Sequence, residues 1–462
     1  MAIVTKTPGV YIEEVPLFPP SVAAVDTAVP AFIGYTDTRP GDGEIHAVKI
    51  RTLMEFEQKF CNWDDWKLKY NVQDNTWEES FSRNELYYHL QLYFANGGGK
   101  CYIASLGPRK GAGVEKKDFQ DALTVIEKED EPTLILAPEA VQLPYADYLE
   151  YYQQALAQAA KLMDRFVIID IPETEKDEIE SFRNGLGVNN LKYGAAYYPY
   201  LQTSIARYAS LDDEDISLIE PPAAAAPPPP AAPGEAPPAE RKPKPPVTAK
   251  METGSIRRQE ILLRLKSEMM VLPPSAAIAG VFANVDATRG VWKAPANVSL
   301  NAVSGLTRKI SHEEQAELNV HAEGGKSINA IRAFTGLGIL VWGARTLAGN
   351  DNEWKYVNVR RFYNFVEESI KKATQVFIFE PNDANTWVRI STMIENFLTN
   401  LWRQGALAGA AAGDAFYVRI GLGVTMSSED ILNGILNVEI GLAVVRPTEF
   451  LVLRFTHKMQ EI

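Results

Sequence analysis

Only two cysteines, Cys61 and Cys101, occur in 462 residues. No disulfide framework is implied, and synthesis in a reducing compartment is the simpler expectation. Histidine is scarce as well, with five scattered along the chain. Ser311-His-Glu-Glu-Gln-Ala316 begins like a zinc-protease helix, but Ala316 stands where the second histidine is required, four residues after His312. His321 lies too far along to share a helical face cleanly with His312, so no metal is expected. Long hydrophobic runs are missing: Gly336 to Gly343 and Gly441 to Val445 fall far short of the roughly 20 residues that cross a bilayer. The first residues reach Pro8-Gly9 without the apolar core of a signal peptide, so no membrane insertion is expected. Basic blocks are absent too, and a formal net charge of -13 argues against a nucleic-acid partner.

The motifs of common chemistries are equally thin. Asn96-Gly-Gly-Gly-Lys-Cys101 looks like a phosphate loop, but a helix precedes it and a strand follows, the reverse of the order that cradles phosphate. A glycine stop after a helix is the better reading. Gly185-Leu-Gly187 and Gly336-Leu-Gly338 lack the third glycine of a dinucleotide fingerprint. Glu139 and Asp170 would lie near the C-terminal ends of parallel strands, the usual place for a cleft. No nucleophile elbow or suitably spaced base accompanies them. No catalytic, cofactor-binding or metal-binding residue is therefore assigned.

What the chain does have is 46% hydrophobic residues, 10% aromatic residues and a readable order of elements. Residues 1–20 read as an extended arm, because Pro8, Pro16, Pro19 and Pro20 exclude helix while Val10, Ile12 and Val15 favour strand. Val29 to Tyr35 predicts a short strand, Asn84 to Asn96 a helix, and Cys101 to Leu106 a buried strand. From Asp118 the order is helix to Glu127, strand Thr133 to Ala137, helix Tyr145 to Met163 and strand Phe166 to Ile171. That order predicts a parallel pair joined by a right-handed crossover. Residues 206–252 hold 12 of the 29 prolines and predict an extended, Ala-rich excursion that packs no core. Helices are expected over Gly254 to Met270, Arg360 to Ala373 and Trp387 to Arg403, with a strand at Gln375 to Glu380. Asn382 or Asp383 can cap the last helix.

Both ends are hydrophobic and β-patterned, whereas termini normally fray. Such ends are tied into their own sheet or added to a neighbour's.

Several segments resemble the contractile tail sheath family. They are Thr7-Pro-Gly-Val-Tyr-Ile-Glu-Glu-Val15, Leu272-Pro-Pro-Ser-Ala-Ala-Ile-Ala-Gly-Val281, Arg289-Gly-Val-Trp-Lys-Ala-Pro-Ala-Asn297 and Val341-Trp-Gly-Ala-Arg-Thr-Leu347. Trp354-Lys-Tyr-Val-Asn-Val-Arg-Arg361, Phe379-Glu-Pro-Asn382, Leu401-Trp-Arg-Gln-Gly-Ala406 and Val438-Glu-Ile-Gly441 continue the likeness. Residues 107–205 share only general α/β character with it.

The resemblance implies a mixed α+β and α/β fold. A sheath core would comprise 21–106 with 325–434, an inserted outer α/β domain would span 107–324 with the Pro/Ala-rich 206–252 inside it, and arms would lie at 1–20 and 435–462. It implies strand exchange between subunits through Val10, Tyr11, Ile12 and Val15, and through Val438, Ile440, Leu442, Val444, Phe450, Val452, Leu453 and Phe455. Arg389 and Arg403, on the polar face of the last helix, are candidate contacts to an inner tube, alongside an ordinary solvated-face reading. Implied partners are further copies in sixfold rings stacked helically, the inner tube protein, and baseplate and tail-terminator or cap proteins. The implied activity is contraction that drives the tube through a target envelope, without cofactor. The particle would be assembled in the bacterial cytoplasm, as a virion tail or a released or envelope-anchored injection device. Because one chain carries both arm and core, a phage-like or extracellular-type system is preferred to the two-component sheath of type VI secretion. Alternatives are a non-contractile tube or surface-layer protein and, least favoured, an α/β enzyme.

Overall fold

The computed structural model describes residues 21–41, 43–62, 68–71, 76–79, 85–109, 113–173, 178–207, 216–220, 247–250, 259–260, 263–264, 267–321 and 324–452. The chain forms two compact units, one of Ala28–Thr288 with Pro295–Val357, the other of Met1–Thr27, Arg289–Ala294 and Asn358–Ile462.

The first unit opens with β1 (Pro30–Gly34), β2 (Ala47–Ile50), α1 (Leu53–Phe60), β3 (Leu68–Asn71), β4 (Thr76–Glu79), α2 (Glu85–Ala95) and β5 (Cys101–Ser105). Helix α2 stops at Gly97, whose φ of 96° suits glycine, and the Gly98 N–H bonds the Tyr93 carbonyl at 3.0 Å. A Cβ on Gly98 would lie 2.5 Å from the Tyr93 ring, so the glycine run serves close packing and a turn.

The α/β alternation follows with α3 (Lys116–Glu127), β6 (Leu134–Leu136), α4 (Tyr145–Leu162), β7 (Phe166–Asp170), α5 (Glu178–Gly185) and β8 (Gly194–Tyr198). Strands β6 and β7 pair in parallel, Leu134 beside Phe166, as the alternation predicts. Next come β9 (Leu201–Ala206), β10 (Ile216–Glu220), β11 (Val247–Lys250), β12 (Met269–Leu272), α6 (Ser275–Arg289), β13 (Val298–Ser299), β14 (Val303–Leu306), α7 (His312–Asn319), β15 (Ile328–Phe334) and β16 (Gly338–Val341).

One nine-stranded sheet, in the order β13-β16-β15-β8-β7-β6-β1-β5-β2, organises this unit. Its residues alternate between two cores: Ala31 and Ile33 of β1 join one apolar cluster and Phe32 the other, as do Val167 and Ile169 against Phe166 and Ile168 in β7. A sheet buried on both faces reads as continuous apolar runs, and β1, β5 and β7 are buried at every position.

The sheet corrects the expected domain division. It draws β1 and β5 from before residue 106, β6 to β8 from the supposed insertion and β15 and β16 from after residue 325. Backbone pairing of Ala31 with Ile135 runs straight across the expected boundary.

Two smaller sheets, β12-β9-β14 and β11-β10-β3-β4, complete the unit. Of the helix expected over Gly254 to Met270, residues 259–260, 263–264 and 267 are helical among those described, while Met269 and Met270 enter β12 against β9. Every second residue of that run, Met270 and Leu272, is buried, so a period of two displaced a period of 3.6. The excursion expected over 206–252 is likewise interrupted, because β10 and β11 pair antiparallel with Glu220 opposite Val247. Residues 221–246 between them lie outside the described residues.

The second unit contains α8 (Val357–Thr374) from Asn358 onward, α9 (Ala384–Arg403), β17 (Phe416–Arg419) and β18 (Glu439–Leu442). Asp383 caps α9, its side chain accepting the Thr386 N–H at 3.0 Å. Ile390, Met393, Ile394, Phe397, Leu398 and Leu401 form the buried stripe of that helix. They pack with Phe362, Phe365, Val366 and Ile370 of α8. The strand expected at Gln375 to Glu380 is absent. A single 3-10 turn, Gln375–Phe377, ends α8, and the chain turns directly into α9. The residues Val-Phe-Ile-Phe favour strand only when a partner strand exists.

Candidate functional site

The residues that could have done chemistry are structural. Glu139 lies in the turn after β6 and is fully buried. It accepts the Tyr35 N–H at 3.1 Å and the Arg109 guanidinium at 2.5 Å. Burial pushes its pKa up to about 8 against the pull of Arg109. Asp170 ends β7, equally buried, and accepts both the backbone N–H and the hydroxyl of Ser275, the first residue of α6. Each carboxylate fills its own hole with a fixed partner, and neither faces open space. His312 begins α7 behind a capping box made by Ser311 and Glu314. Among the described residues, no group of three His, Cys, Asp or Glu is close enough to hold a metal ion, and no helix is long and apolar enough to cross a membrane.

The second unit carries a different kind of site, an apolar groove of about 890 Å³. Tyr363, Val366 and Ile370 of α8 form one wall, and Ile390 and Ile394 of α9 also line it. Leu436, Val438, Ile440 and Leu442 line it as well. These four recur at every second position, so one side of this segment packs on the α8–α9 core while Asn437 and Glu439 between them are exposed. Phe377, Ile378 and Phe379 line the groove where α8 turns into α9.

Strand β18 pairs antiparallel with β17, Ile440 opposite Val418, in a sheet of two strands. Among the described residues no other strand pairs with its other edge, where the Tyr363 hydroxyl donates to the Leu442 carbonyl at 3.4 Å. A two-stranded ribbon is marginal alone, and an unpaired edge beside an apolar groove is the geometry that accepts an added strand.

The sequence-predicted residues divide sharply. Val10, Tyr11, Ile12, Val15, Leu453 and Phe455 lie outside the described residues. Val438, Ile440 and Leu442 line the groove, and Val444 packs on the same core. They belong to a segment paired within its own chain, through β17 and through the bridge between Leu407 and Val444. Phe450 and Val452 are exposed and not in a strand. Arg389 is half-exposed, lies 3.7 Å from Glu380 and sits over the Phe377 ring at 5.1 Å. Arg403 is exposed in the last turn of α9.

Sequence reasoning missed Ile378 and Phe379, which it assigned to a strand. Both are exposed, and Phe379 has a φ of 70°. The length of the segment was the available signal, because a connection between adjacent antiparallel helices needs only a few residues. Buried Arg360, which donates to Asn364 at 2.7 Å and Glu367 at 3.0 Å, also escaped notice.

Residues 112–347 match the family model described as phage tail sheath protein central domain, and residues 349–458 the phage tail sheath C-terminal domain. A tail sheath protein of Vibrio phage KVP40 is 27% identical over 136 residues, 29% of this chain and 20% of that protein. One from Burkholderia phage BcepMu is 30% identical over 145 residues, 30% of each chain. The chain therefore aligns with less than a third of these curated relatives' lengths.

Solved structures match end to end. The sheath complex of an extracellular contractile injection system, PVC, in its contracted state is 31% identical with a TM-score of 0.66, covering 99% of both chains. The helical sheath of the anti-feeding prophage in its contracted state has the same identity and TM-score, covering 98% of this chain and 100% of that one.

Proposed function

The chain belongs to the phage tail sheath family, and from that membership we propose that it is the structural subunit of a contractile sheath. Copies polymerise as sixfold rings stacked helically around an inner tube, held between baseplate and cap proteins, in a virion tail or an extracellular injection particle assembled in the bacterial cytoplasm. The likeness to the PVC and anti-feeding prophage sheaths, covering 98–99% of this chain, is the observation that carries this reading.

Adhesion between subunits rests on strand addition. The groove and the unpaired edge of β18 receive the N-terminal arm of another copy, with Val10, Ile12 and Val15 supplying the β-branched side chains. Phe450, Val452, Leu453 and Phe455 supply the second exchanged segment. Main-chain hydrogen bonds give such a joint strength that does not depend on how the bodies of the subunits are turned, so linkage survives while the bodies rotate.

Contraction needs no nucleotide. The extended sheath is held by a kinetic barrier, and a trigger at the baseplate releases it into a state with more contact area and charge pairing between subunits. Arg389 and Arg403 are the residues that we assign to the tube-facing side of α9.

Negative-stain electron microscopy of the co-expressed sheath and tube tests the reading. Two tubular states, one longer and narrower, are expected. A single fixed length, or discrete particles, would overturn it.

A further inference from the structure

We propose that Phe379 is the specificity-determining latch of the groove, closing over the N-terminal arm of a second copy. The inference rests on the strand-addition reading above. Phe379 is completely exposed, yet it lines the groove, and its φ of 70° is a left-handed conformation that an aromatic residue adopts at a cost. Backbone hydrogen bonds hold the turn around it, from Ile378 N–H to the Gln375 carbonyl at 3.2 Å and from Glu380 N–H to the Phe377 carbonyl at 3.1 Å. A strained, rigid presentation of a large apolar ring to water does nothing for the isolated subunit. It makes sense where the ring is covered on assembly.

The ring has apolar company at the same end of the groove. Ile378 lines it too and is 62% exposed, and the Asn382 side-chain amide, which also lines the groove, bonds the carbonyl of exposed Ile435 at 3.0 Å. Phe379 and Ile378 therefore share one groove with Val438, Ile440 and Leu442 of the β18 segment.

The N-terminal arm is the occupant that fits. Residues 1–20 precede the first described residue, and fully extended they span roughly 66 Å, enough to reach another molecule. Val10 and Ile12 share one side of an extended chain, spaced as Val438 and Ile440 are in the groove wall.

A fluorescent peptide of residues 5–18 titrated into the full-length chain tests the latch by anisotropy. Phe379→Gly is expected to weaken binding roughly 10- to 100-fold, the effect of leaving one aromatic side chain unburied. Phe379→Tyr should keep the wild-type affinity. The thermal midpoint of Phe379→Gly should stay level or rise, since glycine accepts the left-handed turn. Unchanged peptide affinity in Phe379→Gly would overturn the latch while leaving the groove reading intact, and a lowered midpoint would reassign Phe379 to holding the turn. Capture of a 447–460 peptide in place of 5–18 would overturn the choice of arm, and capture of neither would remove the strand-addition reading together with the latch.

Discussion

Ser275 donates to Asp170 twice, from its backbone N–H at 2.7 Å and from its hydroxyl at 2.5 Å, tying the start of α6 to the end of β7 across 105 residues. The carboxylate is fully buried, and burial raises its pKa to about 7 from an ordinary 3.8, against the pull of the Ser275 hydrogen bonds. The folded state thus holds this proton more tightly than the unfolded state does, so the contribution of Asp170 to stability falls as pH rises from about 4 through 7. Unfolding midpoints of the wild type and of Asp170→Asn between pH 4 and 8 check this. The variant should lose that part of the pH slope. Asp170→Ala should cost about 3 kcal/mol, by stranding two buried donors.

The groove makes its own prediction. Ile440 lines it and is only half-buried, so Ile440→Glu should cost the subunit about 1–3 kcal/mol and leave it folded. A charge beside an incoming strand cannot be solvated once the strand is seated. Circular dichroism should therefore report a native subunit, and pelleting should report no sheath.

Deleting residues 1–15 should leave a folded subunit and abolish polymerisation, because the strand-addition reading assigns Val10, Ile12 and Val15 to a neighbour's groove. The C-terminus behaves differently. The sequence treats everything after Gly434 as a detachable arm, but β18 and the alternating Leu436, Val438, Ile440 and Leu442 pack on the core of their own unit. Truncation after Gly434 should destabilise that unit, whereas truncation after Pro447 should spare it. Thermal melts of the two truncations, read beside sheath yield, separate folding from assembly.

On α9, Arg403 is the cleaner test of tube contact, because Arg389 is engaged with Glu380 and Phe377. Arg389→Glu would set two carboxylates against each other and confuse the reading. Arg403→Glu should leave sheath formation intact and lower the amount of tube protein recovered with it. Equal recovery would place the tube-facing surface elsewhere.

Much of the first unit was legible in the sequence, because long apolar runs between helical patterns have few alternative folds. Phe166 to Asp170 and Tyr145 to Leu162 fall where the alternation put them. The reading failed where pairing depends on distant chain. Whether Val376 to Phe379 is strand or turn is decided by the presence of a partner strand, and Met269 and Met270 are strand because β9 lies beside them. The groove was legible only by halves. The alternation of Val438, Ile440 and Leu442 announced a strand, but α8, more than 60 residues earlier, supplies other residues of the groove. No local pattern encodes which helices a strand will pack against.

That same dependence on distant pairing sharpens the expectation for the Pro/Ala-rich segment. Glu220 and Val247 are opposite one another in the β10–β11 ladder, so their Cα atoms are about 5 Å apart and residues 221–246 leave and re-enter the body at one place. A connection between such neighbours needs only two residues, and Asn-Gly supplies the type I′ turn that matches strand twist. Replacing 221–246 with Asn-Gly should therefore preserve β10, β11 and the subunit's melting temperature. Shortening the loop also lowers its closure entropy, an effect that grows slowly with length and adds about 2 kcal/mol at most. If the segment projects from the sheath surface, electron microscopy should find tubes of normal diameter in both states. Loss of polymerisation with an unchanged melt would show instead that residues 221–246 bridge subunits.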